Sequence, residues 1–148
     1  MIQTDEHKKL LEELKKEIYP WGKYLIAVDG LTGSGKSGLS RYLALELDMP
    51  VIETDMHMDT NQTQPCYRLE DLGRLVSSRH KQNRPVIIEG IFLLDTLDKL
   101  GLEPDYMIYV KNSEDAGYVL RTSLLDYIDS WKPNKKANYI FNIDFLNV

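Results

Sequence analysis

Apolar residues along this chain follow two rhythms. The first is helical: Leu10, Leu11, Leu14 and Ile18 recur at three- and four-residue spacing among Glu and Lys. That spacing predicts a surface helix over 5–18, ended by Pro20, Trp21 and Gly22. The same rhythm returns at Leu39, Tyr42, Leu43 and Leu47, then at Leu69, Leu72, Leu75 and Val76. It continues over 93–100 and at Leu120, Leu124, Tyr127 and Trp131. The second rhythm is the short, unbroken apolar run rich in β-formers. Residues 24–28 (YLIAV), a stretch beginning at 51–52, 85–89 (PVIIE), 106–110 (YMIYV) and 139–143 read as buried strands. Punctuation agrees: Pro50 follows one helix, Gly101 suits a left-handed C-terminal position, and Ser113 can cap a helix whose first turn holds Glu114 and Asp115.

Short apolar strands alternating with amphipathic helices specify an α/β fold with a parallel sheet covered on both faces. The 148 residues suffice for one core and are too few for two ordinary domains, so 1–148 is expected to be a single domain. There is no internal repeat, linker or low-complexity stretch. The helix within 1–20 is expected to cover a sheet edge or the base of the first strand, or to mediate contacts of a homodimer.

Composition narrows the function classes. With 43% hydrophobic residues the chain packs a core, and its net charge of −5 comes with scattered Lys and Arg. That balance argues against a nucleic-acid surface, which concentrates basic charge on one face. Cys66 is the only cysteine, which rules out an intrachain disulfide and a cysteine-based zinc cluster. No apolar run approaches the ~18 residues of a membrane span, and the N-terminal residues lack the apolar stretch of a signal peptide. A cytoplasmic protein with no membrane partner is the expectation.

The chemistry is carried by residues 30–37, GLTGSGKS, which match G-x-x-x-x-G-K-[ST] in full. Glycines let the backbone turn tightly enough to aim several N–H groups at phosphate oxygens. The helix that follows adds its free amides and positive dipole end. Lys36 supplies charge for the β- and γ-phosphates, and the Ser37 hydroxyl is a magnesium ligand. A strand before this segment and a helix after it complete the context of a P-loop.

These residues carry a resemblance. IAVDGLTGSGKSGLSRYLALEL resembles the nucleotide-binding start of the uridine kinase and nicotinamide riboside kinase group of P-loop kinases. VIETDMHMD resembles that group's second strand, and PVIIEGIFLL its third strand with a Glu-Gly pair. The similarity extends over about 22–145. It implies a three-layer P-loop fold whose five-stranded parallel sheet has the order 2-3-1-4-5, with a lid-like region over 111–136. It also implies ATP and Mg2+ as cofactors. Gly30, Thr32, Gly33, Ser34, Gly35, Lys36, Ser37 and Gly38 would form the nucleotide cradle. Asp55 would accept or orient the proton of the acceptor hydroxyl, and Ser37, Asp55 and Glu89 would surround the metal. Lys36, Asp55 and Arg121 are thus the catalytic candidates, and Asp55, His57, Tyr67 and Arg68 the substrate-binding ones. By the same resemblance adenine would meet backbone near 136–139.

The resemblance departs in the lid. LRTSLLDYIDSWKPNKK retains Arg121, and Asp126 matches the acid of an Arg-Asp pair, but Leu125 stands where arginine is expected. Lys132, Lys135 and Lys136 either replace that charge or form a solvated turn around Pro133. Two readings follow: an ATP-dependent kinase acting on a nucleoside-like or other small hydroxyl metabolite, and a nucleotide-binding regulatory module with weak or no turnover. A GTPase is disfavoured, since N-K-x-D is missing and no convincing D-x-x-G follows the second strand.

Overall fold

The helical rhythm at the N-terminus becomes α1 (Asp5–Glu17) in a computed structural model of the chain, which describes residues 4–18, 22–59, 66–111 and 121–143. Thr4 caps it: its hydroxyl accepts from His7 N, while the His7 ring accepts from Thr4 N, a capping box with histidine in the place of the usual Glu or Gln. Asp5 and Glu6 lie at the positive end of the helix and Lys15 and Lys16 at the negative end. Leu10, Leu11, Leu14 and Ile18 are all buried, so the apolar stripe is consumed inside the chain. Helix α1 covers the sheet, and the Tyr139 hydroxyl donates to Glu6 Oε1 at 2.7 Å.

The strands are β1 (Leu25–Gly30), β2 (Val51–Glu53), β3 (Val86–Gly90), β4 (Tyr106–Lys111) and β5 (Tyr139–Asn142), all parallel in the order β2-β3-β1-β4-β5. The helices between them are α2 (Lys36–Leu47), α3 (Leu69–Lys81), α4 (Leu93–Lys99), α5 (Arg121–Trp131) and α6 (Pro133–Lys136). Strand periodicity divides the core in two. Ile26, Val28, Ile87, Ile108 and Val110 pack with α1 and α2, whereas Leu25, Ala27, Val86, Ile88 and Met107 pack with α3, α4 and α5. Central strands covered on both faces account for their unbroken apolar runs.

Three details differ from expectation. Strand β1 extends through Asp29 and Gly30, two residues past the apolar run. A single 3₁₀ turn (Thr54–His57) follows β2 directly. Pro133 starts α6 rather than a loop, because proline fits the first helical position, where no N–H is needed. Gly101 has φ +70°, as its position required. Ser113, Glu114, Asp115 and Leu120 lie outside the described residues. Among those described, no helix is long and apolar enough to cross a membrane.

Candidate active site

The order β2-β3-β1-β4-β5 places a crevice beyond the carboxyl ends of β1 and β3, where successive connections diverge to opposite sides. The loop 31–35 leaves β1 there and α2 begins at Lys36. Ser34 N donates to Leu31 O at 3.1 Å, which closes the first turn of the loop. Gly33 (φ +74°) and Gly35 (φ +96°) adopt left-handed conformations that side chains resist. Gly30 is required for a different reason: a Cβ there would come within 2.6 Å of Val110 O and 2.9 Å of Ser34 Oγ. Lys36 is buried and folds back over its own loop, its Nζ donating to Leu31 O at 2.7 Å. Ser37 Oγ donates to Glu89 Oε1 at 3.1 Å, tying the first turn of α2 to the end of β3.

A cavity of about 180 Å³ opens above this tie. Thr32, Gly33, Lys36 and Ser37 line it from the loop and α2, Thr54, Asp55 and Met58 from the segment after β2, and Glu89, Gly90 and Ile91 from the end of β3. Tyr67 closes it, its hydroxyl donating to Ile91 O at 3.2 Å. Gly90 admits the Thr54 side chain, since a Cβ there would fall 1.9 Å from Thr54 Oγ1. Register decides which acids reach this face. Val28 pairs with Glu89 and Asp29 with Gly90, so Glu89 faces α2 while Asp29 faces α5.

Burial and opposed charges set the electrostatics of the cavity. Burial depresses the Lys36 ammonium, opposed by Glu89, Asp29 and Asp55. Burial likewise raises the Glu89 carboxyl, opposed by Lys36 and the Ser37 hydrogen bond and reinforced by Asp55 and Glu53. Burial pushes the Tyr67 phenol up to about 12. Two loop hydroxyls, Thr32 Oγ1 and Ser34 Oγ, are buried without a hydrogen-bond partner among the described residues. Orphaned donors beside left-handed glycines suit phosphate oxygens. The donors near Ser37 are all oxygen, which suits magnesium. Among the described residues there is no group of three or more His, Cys, Asp or Glu that could hold a metal ion.

The remaining candidates separate. Arg68 turns away, its guanidinium on Asp71 Oδ2 at 3.1 Å and Met56 O at 3.2 Å, while Arg68 N donates to His57 O at 2.7 Å. Neither His57 nor Arg68 is among the residues lining the cavity. Arg121 opens α5, and its side chain lies outside the described residues. Lys132, Lys135 and Lys136 are exposed. They follow the C-terminus of α5, and Asn138 N is fixed to Met107 O at the start of β4, roughly 10 Å down the sheet from the loop. Residues 136–139, the expected neighbours of adenine, lie between α6 and the amino end of β5. The carboxyl end is the one beside the loop: a Cβ on Gly35 would meet Ile143 Cδ1 at 3.0 Å.

Sequence reasoning missed Thr54, Met58 and Ile91 in the cavity wall, and it missed the use of Asp29. Asp29 is 1% exposed. Its Oδ1 accepts from Gly30 N at 2.8 Å, and its Oδ2 accepts from the Tyr127 hydroxyl at 2.5 Å. The available hint was an acid closing the apolar run of β1.

No protein-family model matches the chain, and no curated protein matches it. Solved structures do. A protein described as a possible uridine kinase from Bacillus stearothermophilus superposes with TM-score 0.65 at 18% identity, over 93% of this chain and 97% of that one. A sugar kinase from Janibacter sp. gives TM-score 0.57 at 16% identity over 81% and 85%. A gluconokinase from Sinorhizobium meliloti gives 0.51 at 21% identity over 81% of each chain. At these identities the likeness speaks for architecture, and the architecture is the P-loop kinase fold.

Proposed function

We propose that this chain is an ATP-dependent small-molecule kinase that moves the γ-phosphoryl group of MgATP onto a hydroxyl of a nucleoside-like or other small metabolite. The observation that carries the reading is one cavity holding Lys36, Ser37, Glu89 and Asp55 together. The shared fold with proteins described as a possible uridine kinase, a sugar kinase and a gluconokinase supports it.

Phosphoryl transfer needs positioning and charge neutralisation more than covalent work. Amides of the loop and α2 hold the polyphosphate, and Lys36 exchanges Leu31 O for phosphate oxygens. Glu89 orients the Ser37 hydroxyl. Magnesium held near Ser37, Glu89 and Asp55 would neutralise phosphate charge. Asp55 is exposed at the cavity mouth, where an acceptor arrives. As the acceptor oxygen bonds to the γ-phosphorus and the P–O bond to ADP breaks, Asp55 takes the hydroxyl proton.

The test is ADP release from MgATP across a panel of hydroxyl metabolites. We expect one acceptor class to raise the rate, and Asp55→Asn to lower that increment about 100-fold or more. An increment that survives the substitution would overturn the role of Asp55. One observation favours a second reading, a regulatory nucleotide-binding module: among the described residues Lys36 is the one cation lining the cavity. Trace release indifferent to every acceptor would identify the module.

A further inference from the structure

The Asp29–Tyr127 contact belongs to a longer chain of hydrogen bonds. The Tyr127 hydroxyl donates to Asp29 Oδ2 at 2.5 Å and accepts from Leu94 N, in the first turn of α4, at 2.9 Å. Asp29 Oδ1 in turn holds Gly30 N, the first amide of the phosphate loop. One phenol thus links three segments: the loop, by way of Asp29, the first turn of α4, and the middle of α5. Two of these bear on the cavity, since Gly90 and Ile91 line it just before α4 and Thr32, Gly33 and Lys36 line it just after Gly30.

The link is stiff by construction. Asp29 and Tyr127 are both buried, so neither hydrogen bond can be exchanged for water at low cost. The Tyr127 ring packs edge-on against Phe92, centroids 5.6 Å apart. Phe92 itself holds φ +53°, a left-handed conformation unfavourable for a bulky side chain. A strained phenylalanine is thereby locked between the cavity wall and α5. Trp131 lies one turn beyond Tyr127 on the same helix and lines a separate cavity with Leu94, Leu97 and Met107. Any shift of α5 relative to α4 changes the indole's surroundings.

We propose that Asp29 and Tyr127 are positioning residues that couple the phosphate loop to α5, so that nucleotide in the loop is transmitted along the helix that begins at Arg121. The proposal rests on the nucleotide reading of the loop and adds a use for two residues outside the cavity. Neither touches the ligand. Their effect passes through Gly30 on one side and through Leu94 and the body of α5 on the other.

The chain has two tryptophans, so a Trp21→Phe background leaves Trp131 as the sole indole. Calorimetry with MgATP and Trp131 emission are measured on this background and on the same protein carrying Tyr127→Phe. In the background protein, MgATP binds and shifts Trp131 emission. With Tyr127→Phe, the affinity stays within about threefold while the emission response falls about tenfold or more, as expected when a coupling rather than a contact is lost. Asp29→Asn, close in volume, keeps an acceptor for one of the two hydrogen bonds and gives an intermediate response, which serves if Tyr127→Phe folds poorly. A full response in both variants overturns the coupling. So does binding without any emission change in the background protein. A background protein that binds no MgATP sinks the nucleotide reading first and the coupling with it, and the calorimetric trace distinguishes the two failures.

Discussion

A carboxyl sealed between a glycine amide and a tyrosine hydroxyl holds its proton differently from one in water, and Asp29 is such a group. Burial pushes it up to about 7, against hydrogen bonds from Tyr127 and Gly30 and the charge of Lys36, which pull it down. In the unfolded chain the same carboxyl ionises near 4. Between about 4 and about 7 the unfolded state therefore releases a proton that the native state keeps, and stability falls as pH rises. Below that window both states are protonated, and above it both are ionised with the penalty fully present. We expect the loss of unfolding free energy from about pH 4.5 to about pH 7.5 to be smaller in Asp29→Asn than in the parent, by about 1–4 kcal/mol. Denaturant titrations at the two pH values measure it, and parallel losses would contradict it. Asp29 is legible in the sequence only as an acid ending an apolar run. Which face it takes depends on register with β3 and β4, which no local pattern encodes. Lys36 and Ser37 are legible outright, because the loop's chemistry is written in consecutive residues.

At the scale of elements, legibility follows length and period. Helix α1 and the central strands announce themselves because each repeats its apolar spacing over a whole element. The four residues of α6 and the 3₁₀ turn after β2 are too short to show a period. Phe92 is left-handed, with φ +53°, and nothing in its neighbours predicts that. Lys132, Lys135 and Lys136 illustrate a different gap. Their charge is plain, but their distance from the loop follows from α5 running back to the amino end of β5. The packing of α1 is testable directly. Leu14 is fully buried between the sheet and α2, so Leu14→Ala should cost about 2–5 kcal/mol, whereas Leu45→Ala, at a position 77% exposed on α2, should stay within about 0.5 kcal/mol. Chemical denaturation decides it, and equal midpoints for the two variants would contradict the assigned packing of α1.

The whole molecule is a sheet whose order brings three distant segments to one end: the loop after β1, the turn after β2 and the acid at the end of β3. The amphipathic helices seal both faces, leaving the carboxyl ends of the strands as the place where polar groups converge. That convergence was readable from the alternation of strands and helices and from the motif at 30–37. Which small molecule the cavity suits was not, because that depends on which side chains the turns bring inward. Everything functional depends on the loop binding a polyphosphate through Lys36. The most direct test is calorimetric titration of MgATP into the parent and into Lys36→Ala, with circular dichroism and thermal unfolding as controls. The account predicts saturable binding to the parent and an affinity at least about tenfold weaker in the variant, with fold and melting temperature retained, since losing a charge-assisted contact costs about 1.5–3 kcal/mol. Equal affinities, or no binding to the parent, would contradict it.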